Sequence, residues 1–185
     1  MNDKIKRLFE IKSYQEIISM YEDSIMMNNN IKFVNLKSET IYAIIFSLLV
    51  NNKFDDIDFL VIRLKKENVF DYSYVFLILC SYLKQENILK ALSFVGEIDL
   101  FKSDEFYKLI GEDESSYTNI LKCDDADKIP CLLLYVLIGS LDSTKIKTIN
   151  DVMINYFEIL DIVYQSSTDY EIIEYMMNIA KILVK

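Results

Sequence analysis

The sequence predicts an all-α fold of about nine or ten helices. Three observations carry that prediction. Long apolar stretches, at 41–50 and 72–83, are each followed by a short polar break and a second periodic segment. Only three Gly and one Pro occur in 185 residues, too few for the tight turns of an all-β chain. Apolar residues make up 52%, which supports a packed core rather than a disordered chain. At this length the chain suits one domain.

Taken in order, the first helix falls within residues 2–11, where Ile5, Leu8, Phe9 and Ile11 share a stripe. Ser13-Tyr14-Gln15-Glu16 reads as a capping box, hydroxyl and carboxylate each satisfying the other residue's free amide. The helix it opens carries Ile17, Ile18, Tyr21 and Ile25 and fades at Asn28-Asn29-Asn30. Residues 31–37 alternate apolar and polar and read as an extended linker. Ser38 is the expected cap of the next helix, with Glu39 in its first turn. Asn51-Asn52 ends it, and Phe54 opens its partner, with acids first and Arg63, Lys65 and Lys66 last, as the helix dipole favours. Asp71 caps a further helix, Gln85-Glu86-Asn87 breaks it, and residues 88–98 return.

Beyond residue 98 the pattern changes. Residues 99–128 hold nine acids and four bases, and read as an acidic, irregular segment with one short helix. Asp127 and Pro130 open the nearly all-apolar helix at 131–141, since Pro is tolerated in a first turn. A last hairpin follows, its second helix opened by the capping box Thr168-Asp169-Tyr170-Glu171. The expected organisation is one all-α domain over 1–185: three hairpins (1–98), the acidic segment (99–128) and C-terminal helices (129–185).

Corresponding positions recur in the three hairpins. Tyr14, Phe54 and Ile88 each open a second helix, at spacings of 40 and 34 residues. Ile17, Ile57 and Ala91 follow, then Tyr21, Val61 and Val95. Leu8-Phe9, Leu48-Leu49 and Tyr82-Leu83 precede the openings at equal distance. Such periods belong to helical-hairpin solenoids. With Lys12-Ser13-Tyr14-Gln15-Glu16-Ile17 and Asn87-Ile88-Leu89-Lys90-Ala91 at the turn and second-helix start, residues 1–98 resemble tetratricopeptide repeats. They differ from that family in carrying Ile5, Ile45 and Leu79 where a small residue stands in the first helix, in keeping the early Ala only at Ala91, and in lacking the terminal Pro. The resemblance implies a short right-handed solenoid of antiparallel hairpins, and a scaffold subunit that binds protein through the repeat surface. Pentatricopeptide RNA-binding repeats share nearly the same period and are the second reading. A compact Bcl-2-like bundle around the 131–141 helix, taking an amphipathic helix in a groove, is the third.

Charge and chemistry narrow these. The net charge is −9, and Arg7 and Arg63 are the only arginines; no basic stripe is visible to displace counterions from a nucleic acid. There is no histidine, which removes the commonest general acid–base and zinc ligand, and no phosphate-cradling Gly-rich loop. No enzyme and no cofactor are expected. The acids at 112–114, 124, 125 and 127 fit no EF-hand register, Cys123 and Cys131 lack further zinc ligands, and Asp55, Asp56 and Asp58 suit a helix first turn. Cys80, inside an apolar helix, is expected to pack as a small hydrophobe.

The partner expected is therefore a protein, in a homo- or hetero-oligomer. Thirteen Tyr and eleven Phe suit either interface use, where Tyr is enriched, or rings buried in the core with the hydroxyl at the surface; Tyr42, Tyr72, Tyr74 and Tyr82, with Tyr164, are the candidate partly exposed contact residues. The N-terminus lacks the apolar stretch of a signal peptide, and the longest apolar runs fall short of the ~20 residues that span a bilayer. A cytoplasmic location is expected.

Overall fold

The computed structural model describes residues 1–27 and 32–98. The expected acidic segment, the 131–141 helix and the last hairpin lie outside the described residues. The chain groups into two compact units, Met1–Ser81 and Tyr82–Lys185, and each is taken by itself below. The described residues hold six α-helices and one 3-10 turn, with no strand: α1 Asn2–Glu10, α2 Tyr14–Met27, the turn Phe33–Asn35, α3 Ser38–Val50, α4 Phe54–Glu67, α5 Tyr72–Lys84 and α6 Ile88–Glu97. Among these residues no helix is long and apolar enough to cross a membrane.

In Met1–Ser81 the core forms around α3. Its sequence, SETIYAIIFSLLV, has almost no polar face, and every residue from Ala43 to Leu49 is buried. A helix apolar on all sides is stable only when covered on all sides. Helices α1, α2 and α4 each pack on α3, and α1 also packs on α2. Each covering helix contributes one stripe: Ile5 and Leu8 from α1, Ile17, Ile18 and Tyr21 from α2, and Ile57, Leu60, Val61 and Leu64 from α4. The polar groups inside α3 are satisfied locally. Ser47 Oγ donates to the Ala43 carbonyl at 2.6 Å, and Thr40 Oγ1 reaches Asn2 Oδ1 of α1 at 2.9 Å.

The three hairpin turns share one hydrogen-bond pattern at corresponding positions. The amides of Lys12, Asn52 and Glu86 donate to the carbonyls of Phe9, Leu49 and Leu83 (2.9, 3.1 and 2.9 Å). The next amides, of Ser13, Lys53 and Asn87, reach back to Leu8, Leu48 and Tyr82 (2.8, 2.9 and 3.0 Å). These paired bonds are the Schellman closure, which needs a left-handed residue just past the helix. Lys12, Asn52 and Glu86 supply it, with φ of 59°, 55° and 56°. Asn68 (φ 50°) closes α4 in the same way, through the Asn68 and Val69 amides. Side chains tie the first two hairpins together: Gln15 Nε2 donates to Asn51 Oδ1, and Lys53 bridges Glu22 and Asp56.

Several local expectations change. Ser38 does not cap α3; Lys37 holds the extended cap position without a side-chain bond, and Ser38 is the first helical residue. The Ser13–Glu16 pair meets side chain to side chain, Ser13 Oγ donating to Glu16 Oε1 at 2.8 Å, rather than through the backbone amides. Asp71 caps α5 as expected, accepting from the Ser73 amide at 3.0 Å, and Asn87 caps α6 by accepting from the Lys90 amide at 3.0 Å. Ile11 is not on the α1 stripe; it lies past the helix end and is exposed. The linker is anchored rather than extended. Phe33 is wholly buried, the Arg63 guanidinium sits 5.0 Å from its ring centre, and the Val34 amide donates to Glu67 Oε2 at 3.0 Å.

The left-handed turn residues yield a direct test. A side chain at positive φ costs roughly 1–2 kcal/mol, and glycine returns about half of that as unfolded-state entropy. Lys12→Gly and Glu86→Gly are each expected to raise unfolding free energy by roughly 0.5–1 kcal/mol in urea titrations. Asn already tolerates this conformation better, so Asn52→Gly is expected to change stability by only a few tenths of a kcal/mol.

Candidate interaction surface

Of the expected contact tyrosines, the side chains of Tyr42, Tyr74 and Tyr82 are described, and none of the three is exposed. Tyr42 lies half-buried on α3, inside an aromatic cluster built by three helices. Phe9 of α1 is at its centre, 5.9 Å from Tyr14, 5.9 Å from Tyr42 and 5.3 Å from Phe46, ring centre to ring centre. The Phe9–Phe46 and Phe9–Tyr42 pairs are edge-to-face, the arrangement the ring quadrupoles favour. Burial raises the Tyr42 hydroxyl above its usual range, reinforced by the nearby Cys80 thiol and Tyr14.

Tyr74 and Tyr82 correct the expectation of partial exposure, since both are buried. The cause is the surrounding segment: from Tyr74 to Leu83 every residue of α5 is buried, leaving no open face for a ring to occupy. Within the second unit, Tyr82 packs edge-to-face on Phe94 of α6 at 5.6 Å, with Lys90 Nζ 4.8 Å from its ring centre. Tyr72 opens α5, and its side chain and Tyr164 lie outside the described residues. The Tyr21 and Tyr74 hydroxyls are buried with no hydrogen-bond partner among the described residues. Cys80 is buried and reduced, and desolvation raises its thiol well above the ordinary range. A thiol so held is a packing group, not a nucleophile.

No group of three or more Cys, Asp or Glu is placed to hold a metal ion among the described residues. Asp55, Asp56 and Asp58 do not converge: Asp55 is exposed at the start of α4, while Asp56 faces Lys53 at 3.9 Å. The acids at 112–114, 124, 125 and 127, and Cys123 and Cys131, lie outside the described residues.

Met1, Ile11, Val34 and Val50 are exposed singly at helix ends and in the linker, whereas α4 and α6 each carry a pair of open apolar side chains. On α4, Phe59 is 48% and Ile62 66% exposed, opposite the buried stripe of Ile57, Leu60, Val61 and Leu64. On α6, Leu89 is 80% and Leu92 39% exposed; Ser93 and Gly96 continue that face, and a side chain added at Gly96 would meet nothing within 4 Å. The sequence held the signal. Once Ile57, Leu60, Val61 and Leu64 define the inward side of α4, Phe59 and Ile62 fall on the other. No family model, curated protein or solved structure matches the chain.

The buried tyrosines make stability pH-dependent. Burial is the first cause raising Tyr21 and Tyr74 above the ordinary tyrosine value of 10.0, with Asp56 and Glu22 adding to Tyr21 and Asp71 to Tyr74. A folded-state value above the unfolded one leaves stability intact below pH 10 and removes it as pH rises further. Urea midpoints are expected to fall steeply between about pH 10 and pH 11.5. Tyr21→Phe and Tyr74→Phe are each expected to flatten that fall, while at pH 7 they change stability by less than about 1 kcal/mol because the lost hydroxyl has no partner.

Proposed function

We propose that the chain is a non-enzymatic interaction subunit of a larger assembly, binding another protein through the outer faces of α4 and α6. One observation carries this reading. The first helices α3 and α5 are closed through their middles, yet α4 and α6 each leave a pair of large apolar side chains in the open. Scattered single apolar residues are ordinary on a surface. Paired ones at helical spacing, opposite a complete buried stripe, make a ridge that fits a groove or another helix.

The three hairpins are, in this reading, units of a short right-handed solenoid of tetratricopeptide type. The support is their common turn geometry at spacings of 40 and 34 residues. The second and third hairpins then each present a ridge on the second helix, α4 or α6, rather than on the first. Ile5, Ile45 and Leu79 agree with this shift: all three are wholly buried, bulky residues where the repeat family keeps a small one. The scaffold works in the cytoplasm, with a protein and not a nucleic acid as its ligand.

Affinity capture from native extract, read by quantitative mass spectrometry, tests the reading at α6. The chain is expected to retain a protein at near-equal stoichiometry. Leu89→Ser with Leu92→Ser is expected to lower that retention at least about ten-fold, as loss of a central apolar anchor does, without changing the helical circular-dichroism spectrum. Retention unaffected by the double substitution contradicts it.

A further inference from the structure

We infer that the outer face of α4 binds a second copy of this chain, α4 against α4 and antiparallel. The inference rests on the reading above, that the outer faces of α4 and α6 are contact surfaces, and assigns one of them an occupant. In the 14-residue helix, four residues form the outermost stripe: Asp55, Phe59, Ile62 and Lys66, all exposed. Their spacing of four, three and four is that of a coiled-coil seam. None of the four side chains makes an ion pair or hydrogen bond among the described residues.

The order along that stripe is acid, apolar, apolar, base. Turning a second helix end for end and laying it on the first sets Asp55 against the partner copy's base at 66, and Phe59 against its Ile62. The same contacts then occur twice, as a two-fold interface requires. Parallel pairing would set acid on acid and base on base, so the charges select the antiparallel arrangement. The flanks obey the same rule. Asp56 and Arg63 lie on one side of the seam, and Asp58 and Lys65 on the other. Antiparallel pairing brings each flank onto its own reverse, acid to base. These flanking groups are half-buried and already engaged within the chain, so the outer four residues carry the specificity.

The helix dipole alone accounts for acids at the start of α4 and bases at its end. It does not account for a phenylalanine and an isoleucine standing open between them. A self-complementary seam accounts for both. One pair of helices, about 21 Å long, buries less than the roughly 1,200 Å² of a standard interface. The dimer is accordingly weak, with a dissociation constant on the order of 10–100 µM.

Sedimentation velocity of the 185-residue chain, from about 10 to about 500 µM, is the test. The sedimentation coefficient is expected to rise from monomer to dimer over that range. Asp55→Lys alone and Lys66→Asp alone each set like charges against one another at both ends of the seam, and each is expected to weaken dimerisation about ten-fold. The double variant Asp55→Lys/Lys66→Asp restores opposite charges and is expected to return within about three-fold of the parent. Mixing the two single variants is expected to give a heterodimer tighter than either homodimer. Thermal melts of all variants control for folding, since both positions are exposed. A chain that stays monomeric throughout overturns the inference, as does a dimer indifferent to the single substitutions or one not rescued by the exchange. A monomer that still retains a different protein through Leu89 and Leu92 refutes the α4 seam and leaves the wider reading in place.

Discussion

A helix that is apolar on every side has to be covered on every side, and α3 sets that requirement for the first unit. Seven consecutive residues, Ala43 to Leu49, are buried. Burying a large aliphatic side chain is worth roughly 1.5–3 kcal/mol, so no arrangement that opens one flank of α3 competes with the observed one. The covering helices are amphipathic because each touches α3 along a single stripe. Their outer faces are what remains for the chain to present to its surroundings.

The turns make that arrangement cheap in chain length. In each hairpin two carbonyls at the end of the first helix accept amides from the turn, and the second helix starts one residue later. A three-residue connection of this kind allows only antiparallel neighbours. It also fixes which residues face inward, because the residues whose carbonyls close the turn, Leu8, Leu48 and Tyr82, are themselves buried. Geometry of the turn and register of the core are thus one constraint.

Much of this was legible in the sequence. The openings Tyr14, Phe54 and Ile88 were readable because a polar break interrupts a strong apolar period, and local rules dominate there. The aligned positions Ile17, Ile57 and Ala91 are wholly buried for the same reason. Tertiary contacts hid the rest. Nothing in residues 31–37 announces that Phe33 is a core residue; its burial depends on Arg63 and on the packing of α4 against the turn. The general enrichment of tyrosine at interfaces argues for partial exposure of Tyr74 and Tyr82. Their own neighbours, an unbroken apolar run, already argued for enclosure, and the structure sides with the neighbours. Ser38 has the residue type of a cap but sits one position too late. Propensity names the kind of residue at a helix start, whereas the backbone decides which residue turns.

The charge order along α4 serves two masters, the dipole of its own helix and a seam with a neighbour, and the exposed Phe59–Ile62 pair separates them. The central claim beneath both interaction proposals is that α3 and α5 are enclosed through their middles, while α4 and α6 each turn an open apolar pair outward. Covalent carbene footprinting of the isolated chain at about 1 µM, below the dissociation constant of the dimer, measures this most directly, residue by residue. The account predicts heavy labelling at Phe59, Ile62, Leu89 and Leu92, and protection of Ile45, Leu48, Tyr74 and Leu79. Strong labelling along the middle of α3 or α5, with α4 and α6 protected, would contradict it.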